Sequence, residues 1–307
     1  MFDKVIVGFD GSEHARDALA LGAVLTAPGG ELIVCCVHHF KSLSARADPT
    51  EPRLDRAAAE RCVKEATSLV SSVALNPILI AGAGTAIALQ HTAKQQHADL
   101  IVLGSSHRGA LGRVFVGSVT QETLHEASCP VAVAPVGFQD HSEGTRLARI
   151  AVGHDVVEPT PDALCAGVEL CDQTGAELLL VAVAEDAAVP DPARATMLCA
   201  EITRARLRAA EQSVAETLTS VPESVSAASE VRDGDPAEQL LDVANHADLL
   251  ILGSHGRGTM GRLIMGSVCD RVVRAAACAV LVVPPSKSSD VAGSVCLSPA
   301  ISSAHGS

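Results

Sequence analysis

The stretch ADLIVLGSSHRG at Ala98–Gly109 returns as ADLLILGSHGRG at Ala247–Gly258, an offset of 149 residues. Both versions run from an apolar segment into a glycine-rich loop, the pattern of a buried strand that ends at a site of close backbone approach. Working outward, RVFVGSV at Arg113–Val119 returns as RLIMGSV at Arg262–Val268, and CPVAVAP at Cys129–Pro135 as CAVLVVP at Cys278–Pro284, both at the same offset. Towards the N-terminus, KVIVGFD at Lys4–Asp10 matches RIAVGHD at Arg149–Asp155 at an offset of 145, and ELIVCCV at Glu31–Val37 matches ELLLVAV at Glu177–Val183 at 146. The drift from 145 to 149 places a few extra residues in the middle connections of the second copy. Each copy is domain-sized rather than solenoid-sized. The expected units are residues 1–137 and 147–286, joined by the polar stretch Val136–Arg146 and followed by a Ser/Ala/Gly-rich tail at 287–307 that reads as disordered.

Within each copy, short β-branched runs alternate with helical patterns. The first copy reads as strands at Lys4–Phe9, Glu31–Val37, Ile78–Ala81, Ala98–Gly104 and Pro130–Pro135. Helices are predicted at Ser12–Leu25, Arg53–Val73 and Thr85–His97, and from Gly117-Ser118 onward. The second copy repeats this, with helices at Asp162–Gln173, Ala193–Val221 and Pro236–His246 and a third strand at Ser226–Val231. Thr160-Pro161 and Asp235-Pro236 supply cap-plus-proline starts. Continuous apolar strands separated by helices indicate an α/β fold, a parallel sheet covered on both faces. Ligands in such sheets bind beyond the carboxyl ends of the strands. That rule gathers Asp10, Val37 and Gly104 on one rim, and Asp155, Val183 and Gly253 on another.

Composition narrows the partners. With 23 Lys+Arg against 36 Asp+Glu the formal net charge is −13, which argues against nucleic acid or an anionic membrane as the main partner. Five Phe and no Trp or Tyr leave no platform for stacking single-stranded bases. Ala66–Ala93 lacks charged residues, but Ser71, Ser72, Asn76, Pro77, Gly82 and Gly84 interrupt it as a spanning helix. No basic-then-apolar leader opens the chain, since Asp3, Lys4 and Asp10 break the first run. The ten cysteines show no C-x-x-C or zinc-ligand spacing, so they read as reduced, buried apolar residues of a cytoplasmic protein.

The chemistry concentrates in the duplicated loop. In the second copy Gly253-Ser-His-Gly256 is followed nine residues later by Gly266-Ser267 at a helix start, where unpaired N–H groups and the helix dipole favour an anion. The first copy places Ser118-Val-Thr-Gln121 there, a capping-box pattern. Arg108, Arg113, Arg257 and Arg262 flank the two loops in an otherwise acidic chain, which suits a polyphosphate. Asp10 and Asp155 suit an adenine amine, a ribose hydroxyl or a bridging Mg²⁺.

On these residues the chain resembles the universal stress protein family in its tandem form, over nearly all of both copies. The pattern G-x2-G-x9-G-[ST], with the aspartate that ends the first strand, carries the resemblance. It implies two tandem Rossmann-like domains, each a five-stranded parallel sheet with helices on both faces. It further implies ATP with Mg²⁺ as ligand, pairing through the last strand (as a homodimer or an intramolecular pseudo-dimer), and a stress-response role as a nucleotide-dependent regulator or sensor with at most slow ATP hydrolysis. The ligand-contacting set carried over is Asp10, Val37, Leu103, Gly104, His107, Gly117, Ser118 and Val119 in the first copy. In the second copy it is Asp155, Val183, Leu252, Gly253, Gly256, Gly266, Ser267 and Val268. Each copy departs once from the pattern: His107 replaces the second glycine, and Val156-Val157 replace Gly11-Ser12.

Other readings have less behind them. No G-x-S-x-G, H-E-x-x-H or G-x-x-x-x-G-K-[ST] is present, and His14, His107 and His255 near the rim pair with no evident nucleophile. Gly256-Arg-Gly258-Thr-Met-Gly261 fits a dinucleotide fingerprint, but too few strands follow it. A weak ATPase, and an assembly module joined through VAVAP and VLVVP, are the alternatives.

Overall fold

The computed structural model describes residues 1–39, 55–70, 73–82, 84–108, 114–115, 117–141, 146–185, 195–254 and 265–285. The first copy comprises β1 (Phe2–Gly8), α1 (Glu13–Leu25), β2 (Thr26–His39), α2 (Arg56–Leu69), β3 (Ala74–Gly82), α3 (Thr85–Gln96) and β4 (Leu100–Gly104). A two-stranded hairpin, β5 (Ser106–Arg108) and β6 (Val114–Phe115), then leads to α4 (Ser118–Glu126) and β7 (Val131–Ala134). The second copy comprises β8 (Arg149–His154), α5 (Pro161–Thr174), β9 (Glu177–Ala184), α6 (Ala195–Leu218), β10 (Ala227–Asp233), α7 (Pro236–Ala244), β11 (Leu249–Gly253), α8 (Ser267–Ala275) and β12 (Ala279–Val283).

The strands form one ten-stranded sheet in the order β10-β9-β8-β11-β12-β7-β4-β1-β2-β3. Each copy contributes five parallel strands with the same reversal of order, between β1 and β4 in the first and between β8 and β11 in the second. The copies meet at β7 and β12, which pair antiparallel with Leu281 opposite Ala132. The predicted terminal strands therefore pair with each other inside one chain. Because that seam is antiparallel, the carboxyl ends of the two sets of strands point to opposite edges of the sheet.

Burial explains why these runs become strands. Val5, Ile6, Val7, Leu100, Ile101, Val102, Leu249, Leu250 and Ile251 are covered on both faces of the sheet. Residues of α1, α2, α5 and α6 pack with one face, and residues of α3, α4, α7 and α8 with the other. At the edge, β3 starts at Ala74, earlier than its apolar pattern predicts, and carries Asn76 and Pro77. An edge strand needs no ladder N–H on its outer side, so proline is tolerated there. The preceding helix ends at Leu69, short of the predicted Val73.

The linker is partly docked rather than free. Residues Phe138–His141 form a 3-10 turn, and the Gly137 and Gln139 N–H groups donate to the two carboxylate oxygens of Asp17 on α1, at 3.0 and 2.9 Å. Asp17 is buried at 1% exposure, so these donors supply the hydrogen bonds that its side-chain oxygens lose to burial. Asp17→Ala leaves two backbone N–H groups without an acceptor and is expected to lower unfolding free energy by about 2–3 kcal/mol. Urea denaturation of the full chain measures this, and Asp17→Asn, which keeps one acceptor oxygen, should fall between.

The cysteines are mostly as expected. Cys35, Cys36, Cys62, Cys129, Cys171, Cys269 and Cys278 are free, and burial pushes the thiols of Cys35, Cys36, Cys171 and Cys278 up to about 12. Cys165 on α5 departs from the all-reduced expectation, being disulfide-bonded. No helix among the described residues is long and apolar enough to cross a membrane. The predicted tail at 287–307 lies outside the described residues.

Candidate functional site

The second copy holds a cavity of about 670 Å³ at the carboxyl ends of β8, β9 and β11. Seven of its eight predicted contact residues line it: Asp155, Val183, Leu252, Gly253, Gly266, Ser267 and Val268. The eighth, Gly256, lies outside the described residues, as do His255, Gly258, Gly261, Arg257 and Arg262. The cavity sits where strand order reverses, the position at which two neighbouring loops part and leave a crevice.

At one end, α8 starts with Gly266 as N-cap and makes no side-chain capping bond. The first copy does the same at α4, whose N-cap is Gly117. By contrast Ser12, Asp55 and Asp235 cap α1, α2 and α7 with their own side chains. The first N–H groups of α4 and α8 are therefore free of side-chain caps, which is what an incoming anion requires. This corrects the capping-box reading at Ser118: that residue is already the first helical residue, one position too late to cap.

At the other side, the Asp155 Oδ1 accepts the Val157 and Glu158 N–H groups at 2.8 and 3.1 Å, a turn that fixes the carboxylate at the rim. Asp10 holds the Ser12 N–H in the same way at 2.9 Å. The valines that replace Gly11-Ser12 fit without strain, because Val156 does not adopt the left-handed conformation of Gly11 (φ 83°). Val157 is 87% exposed beside the cavity.

Gly104 and Gly253 have a packing role beyond any ligand. A Cβ on Gly104 would collide with the backbone carbonyl of His14, and one on Gly253 with the side chain of Thr160. Each glycine thus lets the start of α1 or α5 cross the end of a central strand. Their carbonyls are held by equivalent residues, Thr120 Oγ1 at 3.0 Å and Cys269 Sγ at 3.4 Å. In the first copy Leu103 is core, 4% exposed, and Val37 is buried at the end of β2. Val119 packs partly buried against the core. His107 lies in β5, its side chain outside the description, as is that of Arg108; Arg113 lies outside the described residues.

Sequence reasoning missed four polar or shape-determining residues of the cavity: His154, Glu185, Arg206 and Pro236. Arg206 on α6 donates from Nη1 to the Glu185 carbonyl at 2.7 Å and brings a cation to the wall opposite α8. His154 was visible in the repeat, where VGHD faces VGFD. Arg206 had no counterpart to mark it.

A universal stress protein family model matches residues 1–135 and again 147–284. The chain belongs to the universal stress protein family. It is 32% identical over 193 residues to universal stress protein Rv2005c of Mycobacterium tuberculosis, covering 60% of this chain and 61% of that protein. The chain therefore spans about three-fifths of the length of the curated relatives it matches first. A Thermus aquaticus universal stress protein is 34% identical over 138 residues, covering 43% of this chain and 97% of its own length. Among solved structures, a universal stress protein from Archaeoglobus fulgidus covers 92% of this chain and is itself covered over 96%, with TM-score 0.59 at 20% identity. At that identity the likeness shows the fold alone.

Proposed function

We propose that this universal stress protein binds an adenine nucleotide, ATP with Mg²⁺, in the second-copy cavity and at the matching rim of the first copy. In this reading it acts as a nucleotide-dependent regulator or sensor in the cytoplasm. The observation that carries the reading is the cavity itself: helix N–H groups without side-chain caps at Gly266-Ser267 face a rim carboxylate, Asp155, across a space large enough for a nucleoside triphosphate. The triphosphate would lie against α8. The base would lie against Val183 and Ala184, where β9 runs past its last partner on β8, with Val181 beside them. Among the described residues no group of three carboxylate, His or Cys side chains is placed to hold a metal. Magnesium would be carried mainly by the phosphates and water, where it neutralises phosphate charge, with Asp155 within the same cavity. Slow hydrolysis fits such a site, since Mg-bound nucleotide with nearby water needs little more. The β7–β12 pairing favours an intramolecular pseudo-dimer over a homodimer built through those strands.

Purified full-length chain, acid-precipitated, is expected to release adenine nucleotide into the supernatant, and Mg-ATP is expected to raise its melting temperature. No released nucleotide together with no thermal shift would overturn the reading and leave a non-binding assembly module.

A further inference from the structure

We propose that His154, held in place by Ser213, contacts the nucleoside half of the second-copy ligand through a hydrogen bond that the first copy lacks; this rests on the nucleotide reading above. His154 is the last residue of β8, directly before Asp155, and is one of the residues that line the cavity. It pairs in register with Ala182 of β9, so it stands at the β9 and α6 wall, away from the α8 N-terminus where phosphate would lie. Its Nε2 is 2.8 Å from the Ser213 Oγ on α6, which fixes the ring orientation. Its Nδ1 has no partner among the described residues and is not sealed from solvent.

Burial lowers the proton affinity of the ring, with Asp155 opposing that effect more weakly, so the imidazole is neutral at neutral pH. A neutral imidazole with one nitrogen engaged still offers the other to a hydroxyl or a base edge. The first copy has Phe9 at this strand position, 3% exposed and packed in the apolar core. Near Gly11 on the same rim, Glu65 of α2 accepts from Arg16 of α1 at 2.6 and 2.8 Å. The two rims therefore differ in chemistry at the point where they would meet a nucleoside. Repeat alignment alone would class this as one apolar-to-polar substitution.

The test uses the full chain with the first copy closed by Gly117→Glu, titrated with Mg-ATP by calorimetry. His154→Phe, which installs the first copy's residue, is expected to weaken ATP binding about 10-fold. His154→Gln, which restores a hydrogen-bonding group, is expected to stay within about 3-fold of the parent, and Ser213→Ala to lose about 3-fold by releasing the ring. His154→Leu repeats the comparison with a smaller side chain, and ligand-free melting of each variant reports on the fold. Parent-like affinity in His154→Phe and His154→Leu would overturn the proposal while leaving the nucleotide reading intact. Equal losses in the Phe and Gln variants would also overturn it, because the ring would then matter for shape alone. Absence of ATP binding in the Gly117→Glu parent would overturn the nucleotide reading for this copy, and the His154 contact with it.

Discussion

Gly266→Glu is expected to weaken Mg-ATP binding at the second copy by roughly 100-fold, about 2.7 kcal/mol, while leaving the fold intact. Gly266 is the N-cap of α8, with an ordinary extended backbone (φ −68°, ψ 163°), so any residue can adopt its conformation. The new carboxylate would occupy the place where α8 otherwise presents N–H groups without a side-chain cap. It would also bring like charge against the phosphates. As an N-cap residue it should not destabilise the helix itself, since an acidic group there suits the helix dipole. Gly117→Glu is the same change at α4 in the first copy. Fluorescent-nucleotide titration of the two single variants and the double variant assigns affinity to each copy. Unchanged affinity in the double variant, with an unshifted melting temperature, would show that these helix starts are not where phosphate binds.

Gly104→Ala acts on stability instead, with an expected loss of about 3 kcal/mol or more. The added methyl would meet the carbonyl carbon and oxygen of His14, and backbone cannot swing aside as a side-chain end can. Relief requires the start of α1 to lift off β4, which would disturb the Asp10 turn and the Ser12 cap together. Gly253→Ala meets the side chain of Thr160, including its Cβ, and is expected to cost nearly as much. Guanidinium denaturation of the full chain measures both. A Gly104→Ala chain within 1 kcal/mol of the parent would refute the packing account.

Those two glycines also show how sequence signals mix. In the motif, Gly253 and Gly266 look alike, yet one is required by a helix crossing a strand and the other marks a helix start without a side-chain cap. The fold was legible because four of the five strands of each copy carry a repeated apolar run, the edge strands β3 and β10 being the exceptions. The antiparallel seam between β7 and β12 was foreseeable as a possibility, since both runs end their copies as bare strands. What stayed hidden depends on tertiary approach. Asp17 gives no sign in ARDALALG that it grips the linker more than a hundred residues away. Arg206 sits on a helix with arginines at 204 and 208, and periodicity cannot say which of them faces the cavity. The cap of α4 was misjudged by one residue because Gly117 and Ser118 both suit that position, and only backbone angles separate them.

The seam carries one more consequence. In a dimer of identical chains, any substitution in one site appears in the other, so the two cannot specialise. Here the partners are covalently joined halves that pair β7 with β12, and dilution cannot exchange one half for another. Each rim has thus been free to accumulate its own residues: Phe9 and Gly11 on one, His154 and Val156 on the other. If both rims bind nucleotide as proposed, the duplication would supply two sites in fixed proportion, facing opposite edges of one sheet, that need not respond to the same concentration of ligand.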